Sequence, residues 1–268
     1  MGDAPVGSDT TRSDGTAMLG PWAAPTPIEI TPVGDDDPTA TGDLLELYFN
    51  RDNDIYVTQR ASTADAWSAP AAVAELNTID FETTPEVSYD GLTIYFASNR
   101  AGTLGGPDIW RSTRTSRLAP WSSPVHVIEL SSAAAEGAPT FSDSLAMTLD
   151  TDRGGTSLLD IYMATRGSPS VAFETPKALT ELNGPTDDGN AMVAPNKLAI
   201  YFDSDRSGNR ELYTASRMTS TEPFGPPTVI AELASSGADT DSWLSADGRT
   251  LYFTSDRDGT LRLWQTTR

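Results

Sequence analysis

The sequence predicts an all-β protein, a single five-bladed β-propeller with four-stranded antiparallel blades. Three observations carry that expectation. A strand core of Ile/Leu-Tyr-Phe type recurs at Leu47-Tyr48-Phe49, Ile94-Tyr95-Phe96, Ile200-Tyr201-Phe202 and Leu251-Tyr252-Phe253, with a weaker Met147-Thr148-Leu149 between them. An aromatic that opens each closing element recurs at Trp67, Trp121, Phe173 and Phe224, spaced 54, 52 and 51 residues apart. A fifth closing element, Trp22-Ala23-Ala24-Pro25, stands at the opposite end of the chain from the unit that lacks one. Four strands in each period of about fifty residues is the pattern of a propeller blade.

The second unit shows each element in order. Its first strand is expected over Glu86 to Ser88, turned at Asp90-Gly91. Asp-Gly suits a tight hairpin turn. The second strand is expected over Thr93 to Ser98, with Ile94 and Phe96 on one face and Tyr95 on the other. Aromatic and β-branched residues suit such a half-buried pleated surface. An arginine follows each second strand: Arg51, Arg100, Arg153, Arg206 and Arg257. At these turns its planar donor fork can satisfy loop carbonyls or an acid.

Third strands open at Ile55-Tyr56, Ile109-Trp110, Ile161-Tyr162, Leu212-Tyr213 and Leu263-Trp264. An acid precedes four of them (Asp54, Asp108, Asp160, Glu211), and Arg262 breaks the pattern. The aromatics of this element are expected as core between blades. The closing element reads aromatic, two residues, proline, then a short apolar strand. Proline there argues for an edge strand, where a missing N–H costs little. The N-terminal copy, continuing over Thr26 to Thr31, is expected to complete the last blade and close the ring. Closure of that kind removes two open sheet ends.

At these residues the chain resembles the TolB-type, WD-repeat-like β-propeller repeats. Pro85, Asp90-Gly91, Ser98-Asn99-Arg100 and Asp108-Ile109-Trp110 carry the resemblance, as do Ser204-Asp205-Arg206, Asp247-Gly248 and Ser255-Asp256-Arg257. It extends over nearly everything after about residue 20. The resemblance implies the propeller fold and a location outside the cytoplasm, periplasmic, surface-tethered or secreted. Such repeats occur in envelope scaffold proteins, peptidase gating domains and a few enzymes. The first unit departs from the pattern, because Asn50-Arg51-Asp52-Asn53-Asp54 has a shortened loop.

Composition narrows the function classes. The 268 residues divide into a polar leader over 1–19 and a propeller over 20–268. The leader lacks the basic start and apolar core of a signal peptide. It is expected to be flexible, and Met1 to stand where an export segment or lipid-bearing cysteine was removed. There are 38 acidic and 18 basic side chains, a formal charge of -20. The summed field repels polyanions, so nucleic acid and anionic membrane surfaces are poor partners. Cations and basic protein surfaces are its natural ligands. Cysteine is absent, which excludes disulfides, thiolate metal sites and a cysteine nucleophile. No apolar run reaches the length of about 18 residues that a membrane span requires. A monomer is the expected state.

Candidate site residues follow from asking which polar side chains recur just before each innermost strand. Counting back gives Glu82, Glu136, Asp188 and Asp239, with Asp35 in the first unit and Asp36 and Asp37 as alternatives. In a propeller these five carboxylates converge around one mouth of the axis, joined by Asp80, Asp187 and Asp241. Such a ring repels itself unless something positive compensates. The repeated arginines can brace it. A cation can occupy it, and Glu82, Glu136, Asp188 and Asp239 offer oxygen ligands suited to Ca²⁺ or Mg²⁺. A basic peptide or protein can supply the charge instead. Trp243, beside Asp239 and Asp241, either stacks on a sugar or an arginine or fills the narrow axis.

The favoured function is a non-catalytic binding or scaffolding propeller with an acidic channel mouth. The alternatives are a glycan hydrolase using two channel carboxylates as acid and base or nucleophile, and a repeat lectin with one sugar site per blade. His126 is the only histidine, so a His-based triad or a multi-histidine metal centre is excluded.

Overall fold

The computed structural model describes residues 19–30 and 33–268. The leader expected over 1–19 lies, apart from Leu19, outside the described residues, as does Thr31. Twenty strands follow one another and no helix is present among the described residues. None is therefore long and apolar enough to cross a membrane.

The first strand, β1 (Thr26–Pro27), belongs to the last blade. Blade 1 comprises β2 (Asp36–Ala40), β3 (Glu46–Arg51), β4 (Asp54–Gln59) and β5 (Ala71–Ala72). Blade 2 comprises β6 (Glu82–Val87), β7 (Thr93–Ser98), β8 (Asp108–Thr113) and β9 (Val125–His126). Blade 3 comprises β10 (Glu136–Asp143), β11 (Ala146–Thr151), β12 (Asp160–Thr165) and β13 (Lys177–Ala178). Blade 4 comprises β14 (Asp188–Val193), β15 (Ala199–Ser204), β16 (Glu211–Ser216) and β17 (Thr228–Val229). Blade 5 comprises β18 (Asp239–Leu244), β19 (Thr250–Ser255) and β20 (Arg262–Thr267), with β1 as its outermost strand. Five antiparallel four-stranded sheets therefore form a five-bladed β-propeller, and the N-terminal strand closes it.

Three boundaries differ from the sequence expectation. Each closing strand is only two residues long, because the chain turns away at once into the connection to the next blade. The innermost strand of blade 2 starts at Glu82, well before Glu86. Every innermost strand also carries a register shift near its start, between Asp36 and Thr39, Thr83 and Glu86, Gly137 and Thr140, Gly189 and Met192, and Thr240 and Trp243. A bulge of this kind breaks the strict alternation of side chains.

The second strands form the core, since almost every side chain on them is buried. Phe49, Phe96, Phe202 and Phe253 have no exposed surface and pack between blades with the third-strand aromatics. Phe202 lies 5.8 Å from Tyr213 with ring planes 26° apart. The closure is packed in the same way. Thr26 pairs with Gln265 and Pro27 with Trp264. Ile28 and Ile30 are buried, and Trp22 is buried beneath the Arg268 guanidinium at 4.1 Å.

Because Trp22, Ile28 and Ile30 join the two chain ends in one core cluster, closure depends on apolar burial beyond two residues of ladder. Trp22→Ala is expected to lower unfolding free energy by about 3–5 kcal/mol. Urea denaturation followed by tryptophan fluorescence measures it. A change below about 1 kcal/mol would contradict the closure.

Candidate functional site

The five recurring acids occupy one equivalent position in every blade, at or just before the first residue of the innermost strand. Each faces the arginine that follows the second strand of its own blade. The pairs are Asp35–Arg51 at 2.6 Å, Glu82–Arg100 at 2.9 Å, Glu136–Arg153 at 3.0 Å, Asp188–Arg206 at 2.5 Å and Asp239–Arg257 at 2.5 Å. All five acids are buried.

The arginines also reach into the preceding blade. Nη2 of Arg100, Arg153, Arg206 and Arg257 donates to the carbonyls of Leu76, Leu130, Leu182 and Leu233 at 2.5–2.7 Å. Those leucines end the four closing segments and are themselves buried. The third-strand aromatic backs each guanidinium: Tyr56, Trp110, Tyr162, Tyr213 and Trp264 lie 5.1–5.5 Å from it. Residues of the connecting turn complete the acids' hydrogen bonding, such as Thr78 N and Oγ1 to Glu82 and Ser132 N and Oγ to Glu136.

The set expected at the channel mouth is therefore a set of blade-to-blade braces. Asp35, Glu82, Glu136, Asp188 and Asp239 are held apart, one per junction, with their oxygens turned to arginine and backbone. The calcium expectation for Glu82, Glu136, Asp188 and Asp239 meets the same placement. Among the described residues no group of three or more His, Cys, Asp or Glu side chains is placed to hold a metal ion. Of these acids Glu136 also lines the space at the mouth, beside Asp37 and Asp241.

The mouth is lined instead by the residue two further on, inside the bulge: Asp37, Thr84, Ala138, Asn190 and Asp241. All five adopt left-handed backbone, with φ of 53°, 49°, 43°, 51° and 53°. Asn and Asp tolerate this region best, while Thr and Ala are strained in it. Inter-blade hydrogen bonds hold the conformation. Asp37 N donates to Thr254 Oγ1 at 3.2 Å, Thr84 N to Asp37 Oδ2 at 3.3 Å and Ala138 N to Thr84 Oγ1 at 3.1 Å. Asn190 N donates to Asp150 Oδ2 at 3.4 Å and Asp241 N to Asp203 Oδ2 at 3.0 Å. Each donor reaches back to the preceding blade, so the five bonds close a circle around the axis.

Five carboxylates gather there: Asp36, Asp37 and Asp241, half-buried at the rim, and Asp150 and Asp203, buried beneath it. Asp150 and Asp203 come from second strands, opposite Gly137 and Gly189. A Cβ on Gly137 would lie 2.9 Å from Asp150 Oδ1, and one on Gly189 2.6 Å from its Oδ2. The two glycines thus make room for Asp150, and the pairing of glycine with a second-strand aspartate is the sequence signal that could have found it. Asp36, Asp37 and Asp241 were legible only as neighbours of the chosen residues. Asp80 and Asp187 do not line this mouth; Asp187 instead accepts Leu159 N at 2.7 Å.

One guanidinium faces this group. Arg210 pairs with Asp203 at 2.5 Å and with Asp205 at 3.2 Å. Among the described residues no ion pair is made by Asp36, Asp37, Asp150 or Asp241. Burial, then Asp241 and Asp36, hold Asp37 well above the ordinary carboxylate value. Burial, then Asp203, push Asp150 up to about 6. Burial and Asp241 raise Asp203 to about 6 against the pull of Arg210. Burial also raises Asp36 and Asp241. Groups this close titrate as a unit. A space of about 300 Å³ is lined by Asp36, Asp37, Asp150 and Asp241, and also by Glu136.

Below the bulge the axis is closed. Thr39, Glu86, Thr140, Met192 and Trp243 share the next inward position. Trp243 is only 2% exposed, stacked on Tyr252 at 5.6 Å and edge-on to Tyr89 at 5.9 Å. Its ring fills the axis and offers no open face to a sugar or an arginine. Glu86 is buried beside it, accepting from Thr39 Oγ1 at 2.8 Å and from Phe141 N at 3.5 Å. With no cation among these partners, burial pushes Glu86 up to about 8.

No family model matches the sequence, and no curated protein does. Solved structures of similar fold are numerous. The structure of a putative TolB from Agrobacterium tumefaciens superposes with a TM-score of 0.56 at 18% identity, over 84% of this chain and 71% of that one. A thermostable family-43 glycoside hydrolase gives 0.67 at 12% identity, over 90% and 91%. The endo-arabinase of Bacteroides thetaiotaomicron VPI-5482 gives 0.64 at 15%, over 90% and 96%. At these identities the likeness is one of fold.

The brace makes a stability prediction. Arg100→Met leaves the buried Glu82 carboxylate without its cation and is expected to cost about 3–5 kcal/mol. Adding Glu82→Leu should restore part of the loss, as read by denaturant unfolding of both variants. Glu86 predicts a pH effect of definite sign. Its folded pKa is raised, so its contribution to stability is complete below the ordinary value of 4.5 and is lost as pH rises through about 8. Glu86→Gln should therefore gain melting temperature relative to the parent between about pH 5 and pH 9. A constant gap across that range would refute the assignment.

Proposed function

We propose that this chain is a non-catalytic binding propeller whose channel mouth takes up a basic group, a lysine or arginine side chain of a peptide or protein. The carrying observation is the charge imbalance at the mouth, where Asp36, Asp37, Asp150, Asp203 and Asp241 face the single guanidinium of Arg210. An incoming ammonium or guanidinium replaces the protons these acids otherwise retain. It also gains strength from the low-dielectric surroundings. The plug at Trp243 favours a side chain inserted from one face over a strand threaded along the axis. The proposal includes a scaffold's place outside the cytoplasm, which the TolB-type repeats motivate.

The glycosidase alternative calls for two carboxylates flanking a bound sugar, one as acid with raised pKa. Asp37 and Asp241 have the chemistry. Thr84, Ala138 and Asn190 at the other three rim positions reduce the carboxylates available, and the short, regular blades favour binding. The lectin alternative requires equivalent sites on every blade, whereas the rim differs from blade to blade.

Calorimetric titration with a lysine-rich and an arginine-rich peptide tests the reading. One peptide per ring is expected, with affinity falling at least about tenfold in the Asp37→Asn, Asp241→Asn double variant. Uptake of a cation favours the ionised carboxylates and releases protons. Affinity should therefore rise with pH through the values near 6 of Asp150 and Asp203, with the raised Asp37 extending the rise. It should also weaken with salt. Absence of saturable binding by either peptide would sink the proposal. Release of reducing sugar from arabinan or xylan, lost on Asp37→Asn, would establish the hydrolase instead.

A further inference from the structure

A second cavity opens at the opposite end of the inner strands, between blades 2 and 3, at one of the two junctions where a regular cross-blade contact is missing. In every blade the arginine after the third strand stacks on the closing aromatic. Arg60, Arg114, Arg166, Arg217 and Arg268 lie 4.1–4.4 Å from the rings of Trp67, Trp121, Phe173, Phe224 and Trp22. Each also donates Nε to a carbonyl of its own inner hairpin, at 2.6–2.8 Å. In three blades the far end of the guanidinium crosses to the preceding blade. Arg60 reaches Tyr252 Oη at 3.4 Å, Arg268 reaches Tyr201 Oη at 3.1 Å, and Arg114 reaches Glu46 at 2.5 Å. Blade 2 presents the same hydroxyl on Tyr95, yet Arg166 does not reach it. Among the described residues the Arg166 Nη atoms and Tyr95 Oη have no partner.

A space of about 430 Å³ lies between them. Blade 3 bounds it with β10, the longest innermost strand, which carries a second register shift between Thr140 and Asp143. Phe141 stands edge-on to Tyr95 at 5.5 Å, and Phe173 and Tyr89 complete the apolar walls.

Arg111 is the third unsatisfied group. It lies directly across the ladder from Tyr95 and so shares its face. The same position in the other blades holds Val57, Met163, Thr214 and Gln265, so only this cavity receives a cation there. Among the described residues Arg111 makes no ion pair, and its Nε is fully buried without a hydrogen-bond partner. A buried donor left unmade is destabilising unless something occupies it. The acids nearby do not neutralise it. Asp143 is paired with Lys197 and accepts from Leu145 N, while Asp90 accepts from Ser88 Oγ and Leu92 N.

We propose that this cavity binds a small carboxylate with a ring-shaped body. Arg111 and Arg166 take the carboxylate, Tyr95 Oη hydrogen-bonds to it or to a ring hydroxyl, and Phe141, Phe173 and Tyr89 hold the body. The volume falls in the range of small-molecule pockets, and two planar guanidiniums suit a carboxylate better than a point charge does. The overall negative charge of the protein does not prevent this, since its field is screened beyond about 10 Å at ordinary ionic strength. Aromatic acids and sugar acids share this chemistry, so the test separates them.

Titrations monitored by NMR use 4-hydroxybenzoate and D-glucuronate, with 4-hydroxybenzyl alcohol and D-glucose as neutral counterparts. Saturable binding of at least one acid is expected, with at least about tenfold weaker binding of its neutral counterpart. Arg111→Gln should weaken the acid at least about tenfold without lowering the melting temperature, because it removes an unsatisfied donor. Tyr95→Phe should weaken it less, and the Asp37→Asn, Asp241→Asn variant should bind it as the parent does. The arm that saturates identifies the body as aromatic or sugar. No saturable binding of either acid, or equal binding by the neutral compounds or by Arg111→Gln, would overturn the proposal.

Discussion

The acid–arginine–leucine brace is the contact on which the rest of the ring depends. Apart from contacts across the axis such as Tyr89 with Trp243, a propeller blade touches its neighbours, so its geometry rests on what each junction fixes. Here one guanidinium joins three things: an acid opening its own blade, a leucine carbonyl closing the previous one, and an aromatic between them. Glu82, Arg100, Leu76 and Trp110 form the set at the junction of blades 1 and 2. A buried ion pair of this kind adds modest net stability and enforces one geometry, because breaking it leaves a buried charge unpaired. Repeated around the ring, it accounts for both the regularity of the motif and its visibility.

That regularity separates structure from function along each inner strand. The first residue is committed to the brace. The third, inside the bulge, has its backbone held by its own N–H and varies in side chain, although at Asp37 and Thr84 that side chain also accepts the next blade's N–H. Asp37, Thr84, Ala138, Asn190 and Asp241 differ in charge and size while keeping one backbone conformation. Variation at a position of fixed geometry is how a symmetric scaffold acquires an asymmetric mouth, acidic on one side and neutral on the other. The fifth residue, which carries Trp243 and Glu86, then decides how deep the mouth runs.

The opposite face follows the same logic in reverse. There the junction contact between a post-strand arginine and a neighbouring hydroxyl or acid is made by Arg60, Arg114 and Arg268. It is absent at the junctions of blades 2 and 3 and of blades 3 and 4, and at the first of these a cavity with unsatisfied donors stands in its place. Deviation from the repeat is the common mark of both candidate sites. The repeat itself carries only the fold.

The sequence alone determined the blade count, the four-strand period, the second-strand limits at Thr93 and Ser98, and the ring closure through the N-terminal strand. These are legible because hydrophobic alternation and fixed spacing are local properties that survive divergence. Which acids meet at the mouth was decided only by tertiary structure. A bulge with left-handed residues at Thr84 and Ala138 leaves no mark in a pattern of alternation, since neither residue favours that backbone. Its effect is to turn Glu82 toward Arg100 and the next residues toward the axis. Asp150 and Asp203 reach the mouth from second strands, far from any inner-strand motif, and Gly137 and Gly189 leave the space that Asp150 occupies. Proximity of that kind depends on how five separate sheets are set around one axis, and no stretch of the chain encodes it by itself.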